Sequence, residues 1–419
     1  MIKNRPSRFF YGYIIGFFAF LIMMGMWGTF YSFGIFFEPV LAEFGWTRAA
    51  TSGAFSLCLL LAGFFAIFAG RLNDRFGPRV VMTACSLFLG AGYFLMSQIT
   101  TIWQLYLFYG VIIGIGSSGS FVPLASTISR WFVKRRGLMT GIIAAGIGFG
   151  TMVMPPVASW LISVYGWRIS YMIIAIIALV LVLSAAQFLR RDPGQMGLSP
   201  YGESQIKEER SVVTTRGFSF GEAIRTRQYW LFSATLFCCW FGIGIVLAHV
   251  VIHATGMGIS VASAANILAI IGIGGVAGRI TMGDVADRIG NKPAIITGFM
   301  LMSASFLMLL TAREISVFYL FAFVFGFAYG AVSTLESPVV AELFGLSSHG
   351  IIFGAIFFSD SIGAAIGTVL GGRIFDITGG YQPAFITCAA LSSIAIILAI
   401  FMRPVASVKR EIDTVPRRN

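Results

Sequence analysis

Apolar runs of about twenty residues follow one another along this whole chain, and that repetition leaves it few folds. A hydrocarbon core about 30 Å thick is crossed by roughly twenty helical residues. Inside it every backbone N–H and C=O must be bonded within the chain. The 419 residues are 57% hydrophobic and only 11% charged, against about 25% charged residues in a soluble domain. Twelve spans can be marked, at about 10–37, 48–70, 79–98, 102–129, 137–163, 168–189, 228–256, 260–283, 292–311, 316–343, 350–373 and 381–402. They lack the strict alternation of barrel strands. The expected fold is therefore an all-α membrane protein of twelve transmembrane helices. Lys3, Arg5 and Arg8 precede the first span as they would in a signal peptide. Its apolar run is too long for one, however, and no small-x-small cleavage site follows, so it is expected to stay as the first helix.

A net charge of +12 invites a nucleic-acid reading, which the placement of the charges opposes. With twelve spans both termini lie on one side. That side collects the N-terminal cations, then Arg71, Arg75 and Arg79, then Arg130, Lys134, Arg135 and Arg136, then most of the remaining Lys and Arg. The other side holds only Arg48, Arg168, Arg313 and Arg373, and Arg279 falls inside a span. This is the positive-inside pattern. It predicts a multi-pass protein of the cell (inner) membrane with both termini cytoplasmic, whose macromolecular surroundings are lipid and not nucleic acid. Cys58, Cys85, Cys238, Cys239 and Cys388 all lie inside spans and form no CxxC, so they read as buried small apolar residues.

Charge is scarce, and two of its clusters are near copies. Gly70-Arg-Leu-Asn-Asp74-Arg75-Phe-Gly77-Pro-Arg79 and Gly283-Asp-Val-Ala-Asp287-Arg288-Ile-Gly290-Asn-Lys292 lie 213 residues apart. The same offset relates Gly137 to Gly350, Gly141 to Gly354 and Gly166 to Gly379. A register held through two helix pairs predicts two homologous six-helix halves, 1–189 and 228–403. A cytoplasmic linker, 190–227, would join them, and a tail, 404–419, would follow. A short surface helix is expected between Phe218 and Arg227. Glycines crowd the fifth and eleventh spans, where small residues let helices approach closely. Pro123, Pro155, Pro156 and Pro338 are expected kinks.

The two turns resemble the signature loop of the major facilitator superfamily, G-x-x-x-D-R-x-G-x-[KR]. The resemblance implies that Asp74, Arg75, Asp287 and Arg288 form a conformational latch at the cytoplasmic face. The run Trp131-Phe-Val-Lys134-Arg135-Arg136-Gly-Leu-Met-Thr-Gly141-Ile-Ile-Ala-Ala-Gly146 is similar to the fifth-helix motif of the monocarboxylate transporter family and its bacterial relatives, which include the oxalate–formate exchangers. Asp192-Pro-Gly-Gln-Met-Gly-Leu-Ser-Pro-Tyr-Gly in the linker fits the same group. Ile271-Gly-Ile-Gly-Gly275-Val-Ala-Gly-Arg279 resembles the eighth-helix motif, which puts Arg279 on the family's carboxylate-binding arginine. Two departures stand out. Gly275 replaces the aspartate tied to proton coupling in the animal members. Asp360 falls where the oxalate exchangers carry a lysine, which argues against a doubly charged substrate.

Charges inside a bilayer are costly unless paired or hydrated, so they are functional candidates. At ~1.5 Å per residue, Arg279 and Asp360 both reach the middle of the membrane, where transporter sites lie. A guanidinium stays charged when buried, and its planar fork matches a carboxylate. Asp360 is expected to neutralise Arg279 in the empty state and to take up a proton when a substrate carboxylate displaces it. Glu336, nearer the cytoplasmic end of the tenth span, is the rival proton carrier. His249 and His253 share one helix face but lack a third ligand, so no metal is expected, and no other cofactor. Tyr31, Phe33, Phe121, Phe357 and Phe358 are candidates for the cavity wall. Tyr31 and Phe121 align with cavity aromatics of the oxalate exchangers.

The expected function is secondary transport of small monocarboxylates such as lactate or pyruvate by alternating access, as a monomer, with proton symport as the coupling. Carboxylate exchange and efflux of amphipathic acids or drugs are the alternatives. The absence of the G-P-x-x-G-G motif weighs against drug efflux. A membrane-bound sensor lacks its soluble domain, and an enzyme lacks a nucleophile–base pair.

Overall fold

A computed structural model of the chain describes residues 10–46, 48–202 and 217–402. Among the described residues eleven helices are long and apolar enough to cross a membrane. One of them, Arg136–Ala186, has 51 residues, roughly 76 Å of helix at ~1.5 Å per residue, far more than one crossing needs. It breaks at Gly166, where φ is 75° and ψ 163°, a conformation glycine adopts without a Cβ clash. It is therefore two passes, and the described residues make twelve crossings.

The passes are α1 (Tyr11–Tyr31), α2 (Arg48–Phe76), α3 (Pro78–Met96), α4 (Ile102–Trp131), α5 (136–165), α6 (167–186), α7 (Arg227–Gly256), α8 (Val261–Ile289), α9 (Asn291–Thr311), α10 (Ile315–Phe344), α11 (His349–Thr378) and α12 (Gln382–Ile400). Their surfaces invert the soluble pattern. Trp103, Val369, Ile377 and Met152 face outward, as lipid permits, while Gly12, Gly16, Ala19, Gly25 and Gly28 share the buried side of α1 with Ile15, Ile22, Met23 and Met26.

Local sequence explains the irregular places. Beyond Ser32, α1 runs on as a second segment, Phe33–Phe44. Within α4 a π-helical stretch, Tyr106–Ile113, gives way to a turn and then to Val122–Trp131, with Pro123 in its first turn. The expected kink at Pro123 is thus a restart, because a proline there gives up only an N–H that the first turn leaves free. By contrast, α5 and α10 run on through Pro155, Pro156 and Pro338. Between Phe218 and Arg227 one turn forms, Phe220–Ala223, closed by a capping box of Ser219 and Glu222. Tyr201 of the linker pairs its backbone with Trp131, Val133 and Lys134 at 2.9–3.1 Å.

The first six and last six passes meet chiefly along two crossings, α2 with α11 and α5 with α8, and these repeat the 213-residue register. A Cβ on Gly350 would stand 2.9 Å from the carbonyl carbon of Gly70, and one on Gly283 would stand 2.8 Å from that of Gly137. One step deeper, the same test puts Gly354 against Ala66 at 3.0 Å and Gly141 against Arg279 at 2.9 Å. Only glycine allows backbones this close. On the linker face these crossings hold the two sets of helices together.

Candidate substrate and coupling site

The backbone of Arg279 is part of the α5–α8 crossing, and its side chain turns inward, 2% exposed. The guanidinium carbon lies 4.9 Å from the centre of the Tyr329 ring of α10, a cation–π contact. The side chain also folds back over its own helix: a Cβ on Gly275 would stand 2.7 Å from Arg279 Nη1. Glycine at 275 is what leaves room for the guanidinium there. Among the described residues Arg279 makes no hydrogen bond, and its buried Nε has no partner. Tyr31 of α1 lies within electrostatic reach of both Tyr329 and Arg279. A residue from the first six helices thus meets two from the last six.

Two acids lie in the same region. Glu336 of α10 is fully buried, and Trp240 Nε1 of α7 donates to its Oε1 at 3.0 Å. Oε2 has no partner. Asp360 of α11 is 1% exposed, and neither carboxylate oxygen has a hydrogen-bond partner. The expected pairing of Asp360 with Arg279 does not form. Arg279 makes no ion pair among the described residues, and the acid within electrostatic range of it is Glu336. The reason is the position of the helices: Asp360 is within electrostatic range of Tyr229 and Cys239 of α7 and of Glu336, and not of Arg279.

The aromatic candidates separate. Phe121 packs against Phe353 and Phe357 at ring distances of 5.7 and 6.0 Å. Phe357 lines a cavity between the two sets of helices together with Trp27, Phe30, Ser117, Ser120 and Ser361. Tyr31 joins this wall to Arg279, since its ring stacks on Trp27 at 5.6 Å. Phe33 instead packs against Phe55 and Tyr109 within the first six helices, and Phe358 meets Phe64 of α2. His249 is held between the Thr368 carbonyl (2.9 Å) and the Tyr381 hydroxyl (3.2 Å), while His253 packs among Phe318, Tyr381 and Phe385.

On the linker face the repeated turns act across the crossings. Asp74 accepts hydrogen bonds from the backbone N–H groups of Gly350 and Ile351, both at 3.1 Å, at the start of α11. Asp287 accepts from Gly137 (2.9 Å) and Leu138 (2.8 Å) at the start of α5. Each carboxylate thus caps a helix of the opposite set, where free N–H groups and the helix dipole favour an anion. The arginines of the motif do not join in. Arg75 lies over the Phe76 ring, and Arg288 pairs with Asp284 on the surface of its own helix. The cation that reaches Asp74 is Arg130 of α4, at 2.8 Å. The hydroxyls of Ser129 and Ser337 meet at 3.1 Å to close the same face between α4 and α10.

Sequence reasoning missed Tyr329, Trp240 and Arg130. Tyr329 had a signal, since it precedes Glu336 by seven residues and so shares its face. Trp240 had none, and Arg130 was hidden among the loop cations.

Comparison with known proteins bears on the family and the fold. The profile described as Major Facilitator Superfamily matches residues 15–285 and 251–417. Monocarboxylate transporter 13 of Bos taurus is 26% identical over 390 residues, 93% of this chain and 88% of that protein. The oxalate:formate antiporter of Oxalobacter formigenes is 27% identical over 389 residues, 92% and 90% of the two chains. In fold the chain is similar to the proton:xylose symporter XylE, with a TM-score of 0.75, 16% identity and coverage of 94% and 96%. It is likewise similar to FucP in the outward conformation, with a TM-score of 0.71, 17% identity and coverage of 94% and 100%. Twelve membrane passes, a doubled turn that caps helices across the two sets, and a profile match over most of the length have one reading: this chain belongs to the major facilitator superfamily and is a multi-pass secondary transporter, not an enzyme.

Proposed function

We propose that the protein carries small organic monocarboxylates across the cell (inner) membrane together with protons. The halves 1–189 and 228–403 would rock about the crossings, with both termini cytoplasmic. The observation that carries this reading is Arg279, a buried guanidinium with no ion pair among the described residues, beside Tyr31 and Tyr329 where the two sets of helices meet. Such a cation needs an anion, and a carboxylate matches its fork. Tyr31, Phe121 and Phe357 supply apolar and hydroxyl contacts for a small acid, and Phe358 stands behind them against α2. The buried acids Glu336 and Asp360 supply the proton sites. A dicarboxylate would meet one cation and two acids, which favours single carboxylates. The relatives named for monocarboxylates and for oxalate and formate support the substrate class. The linker-face latch is assigned to Asp74 and Asp287, with Arg75 and Arg288 free to engage in the opposite state.

The test is uptake of labelled lactate, pyruvate, acetate and oxalate into proteoliposomes, with and without a pH gradient. Monocarboxylate accumulation driven by an acid exterior is the expected result. Uptake that needs internal carboxylate and ignores pH would favour exchange instead.

A further inference from the structure

We infer that Glu336 is the residue that takes up the transported proton, and that Asp360 holds a second proton which stays on it throughout the cycle. The inference deepens the proposed symport and rests on it. It follows from counting the charges that share one buried region. The Trp240 ring of α7 stands 5.7 Å from that of Tyr329 and its N–H donates to Glu336, both of α10, and Arg279 of α8 lies over Tyr329. Asp360 of α11 is within electrostatic range of Glu336 and of Cys239 and Tyr229 of α7, and Tyr31 of α1 within that of Arg279. That is one fixed cation against two acids. In a medium of low dielectric an unpaired charge is far more expensive than a proton bound to it. Both acids therefore cannot stay ionised beside one guanidinium, and close acids of this kind titrate as a pair that shares its protons.

The surroundings decide which acid keeps its proton. Burial disfavours the charged form of both acids, and Glu336 alone has compensation for it: an N–H donor, Trp240, at 3.0 Å and the field of Arg279. Asp360 has neither. Among the described residues no donor reaches either of its oxygens, and besides burial what acts on it is the charge of the other acid. The empty site is then Arg279 positive, Glu336 negative and Asp360 neutral, with no net charge. A substrate carboxylate that binds Arg279 adds one negative charge. Neutrality returns when one proton from the same side binds the Glu336 carboxylate. After the halves rock, the substrate leaves and Glu336 releases that proton to the other side. One proton moves with one carboxylate, no net charge crosses, and the proton on Asp360 is a spectator.

The experiment is lactate transport in proteoliposomes by three proteins: wild type, Glu336→Gln and Asp360→Asn. Glu336→Gln is expected to lose pH-driven accumulation, its internal-to-external lactate ratio falling to one, while exchange of labelled for unlabelled lactate continues. Asp360→Asn, which mimics the neutral acid, is expected to accumulate to the ratio the pH gradient sets, whatever its turnover. An imposed membrane potential should leave wild-type accumulation unchanged. Accumulation surviving in Glu336→Gln, or lost in Asp360→Asn while exchange continues, overturns the inference and leaves carboxylate transport standing. Wild-type liposomes that move no lactate overturn the functional reading itself. Infrared spectroscopy gives a readout that does not depend on turnover. A protonated-carboxyl band at neutral pH without substrate should vanish in Asp360→Asn and persist in Glu336→Gln, and the reverse assignment overturns the inference.

Discussion

Arg279 is expensive where it stands, since desolvating a guanidinium costs several kcal/mol and a cation–π contact such as that with Tyr329 returns only about 0.5–2 kcal/mol. Such a cost persists when the residue has work to do. Arg279→Ala is expected to abolish carboxylate uptake in proteoliposomes. Arg279→Lys keeps the charge but loses the fork. It should weaken substrate binding by roughly 10- to 100-fold, the worth of about 1.5–3 kcal/mol for a charge-assisted hydrogen bond. Competition by unlabelled lactate measures it. Gly275→Ala tests the geometry from the other side, because its Cβ would stand 2.7 Å from Nη1. Uptake should fall although Arg279 is intact. Arg279, Glu336 and Asp360 were legible in the sequence because a charge within an apolar span is rare enough to be noticed alone. Tyr329 and Trp240 were not, because aromatics are abundant here, with 41 Phe, 13 Tyr and 8 Trp, and neighbours on different helices leave no mark in one sequence.

At the scale of helices, the doubled turn and the glycine register prove to be one device. Gly70 meets Gly350 and Gly137 meets Gly283, while Asp74 and Asp287 cap the helices that those contacts bring close. Gly283→Val would press a branched side chain on the Gly137 carbonyl and hold the linker face open. Substrate binding from that face should persist while transport stops, as measured by binding to detergent-solubilised protein beside liposome uptake. Asp74→Asn removes the charge that Arg130 pairs with and weakens two capping bonds. A shift of about 1.5–3 kcal/mol toward opening is expected, visible as faster labelling of a cysteine placed at Ser129. The family motif named four latch residues, but in this state only its two carboxylates engage. The sequence could not show that Arg130 replaces Arg75, because that pairing depends on where α4 ends relative to α2.

Across the whole molecule the linker face is closed by matched contacts, whereas the far face carries a strap within the first six helices. Arg168 bonds the Ser97 and Ile99 carbonyls at 3.0 and 3.1 Å and pairs with Glu43 at 2.5 Å, while Trp167 Nε1 donates to Glu43 at 2.7 Å. The bond from Arg168 holds the Glu43 carboxyl below the usual glutamate range. A lowered folded-state value means that the strap stabilises the protein above that range, about pH 4.3. The contribution fades as pH falls through the folded value. The thermal-stability gap between wild type and Glu43→Gln should therefore be present at neutral pH and close under strong acid. It should be small, because the pair is exposed to solvent.

What the sequence determined alone was whatever repeats or whatever is costly. Twelve apolar runs dictated helices because lipid offers no other partner for the backbone. The 213-residue register pointed to a doubled plan, and lone charges marked the buried region. What only the tertiary structure decided was who stands next to whom. Asp360 was expected to pair with Arg279, since both lie near mid-membrane. The packing instead puts Glu336 within electrostatic range of Arg279 and, among the described residues, leaves Asp360 without a donor or a cation. Depth along a helix follows from counting residues. Rotation and neighbours follow from how glycine-lined backbones dock, and that information belongs to pairs of helices, which a single chain read in order does not contain.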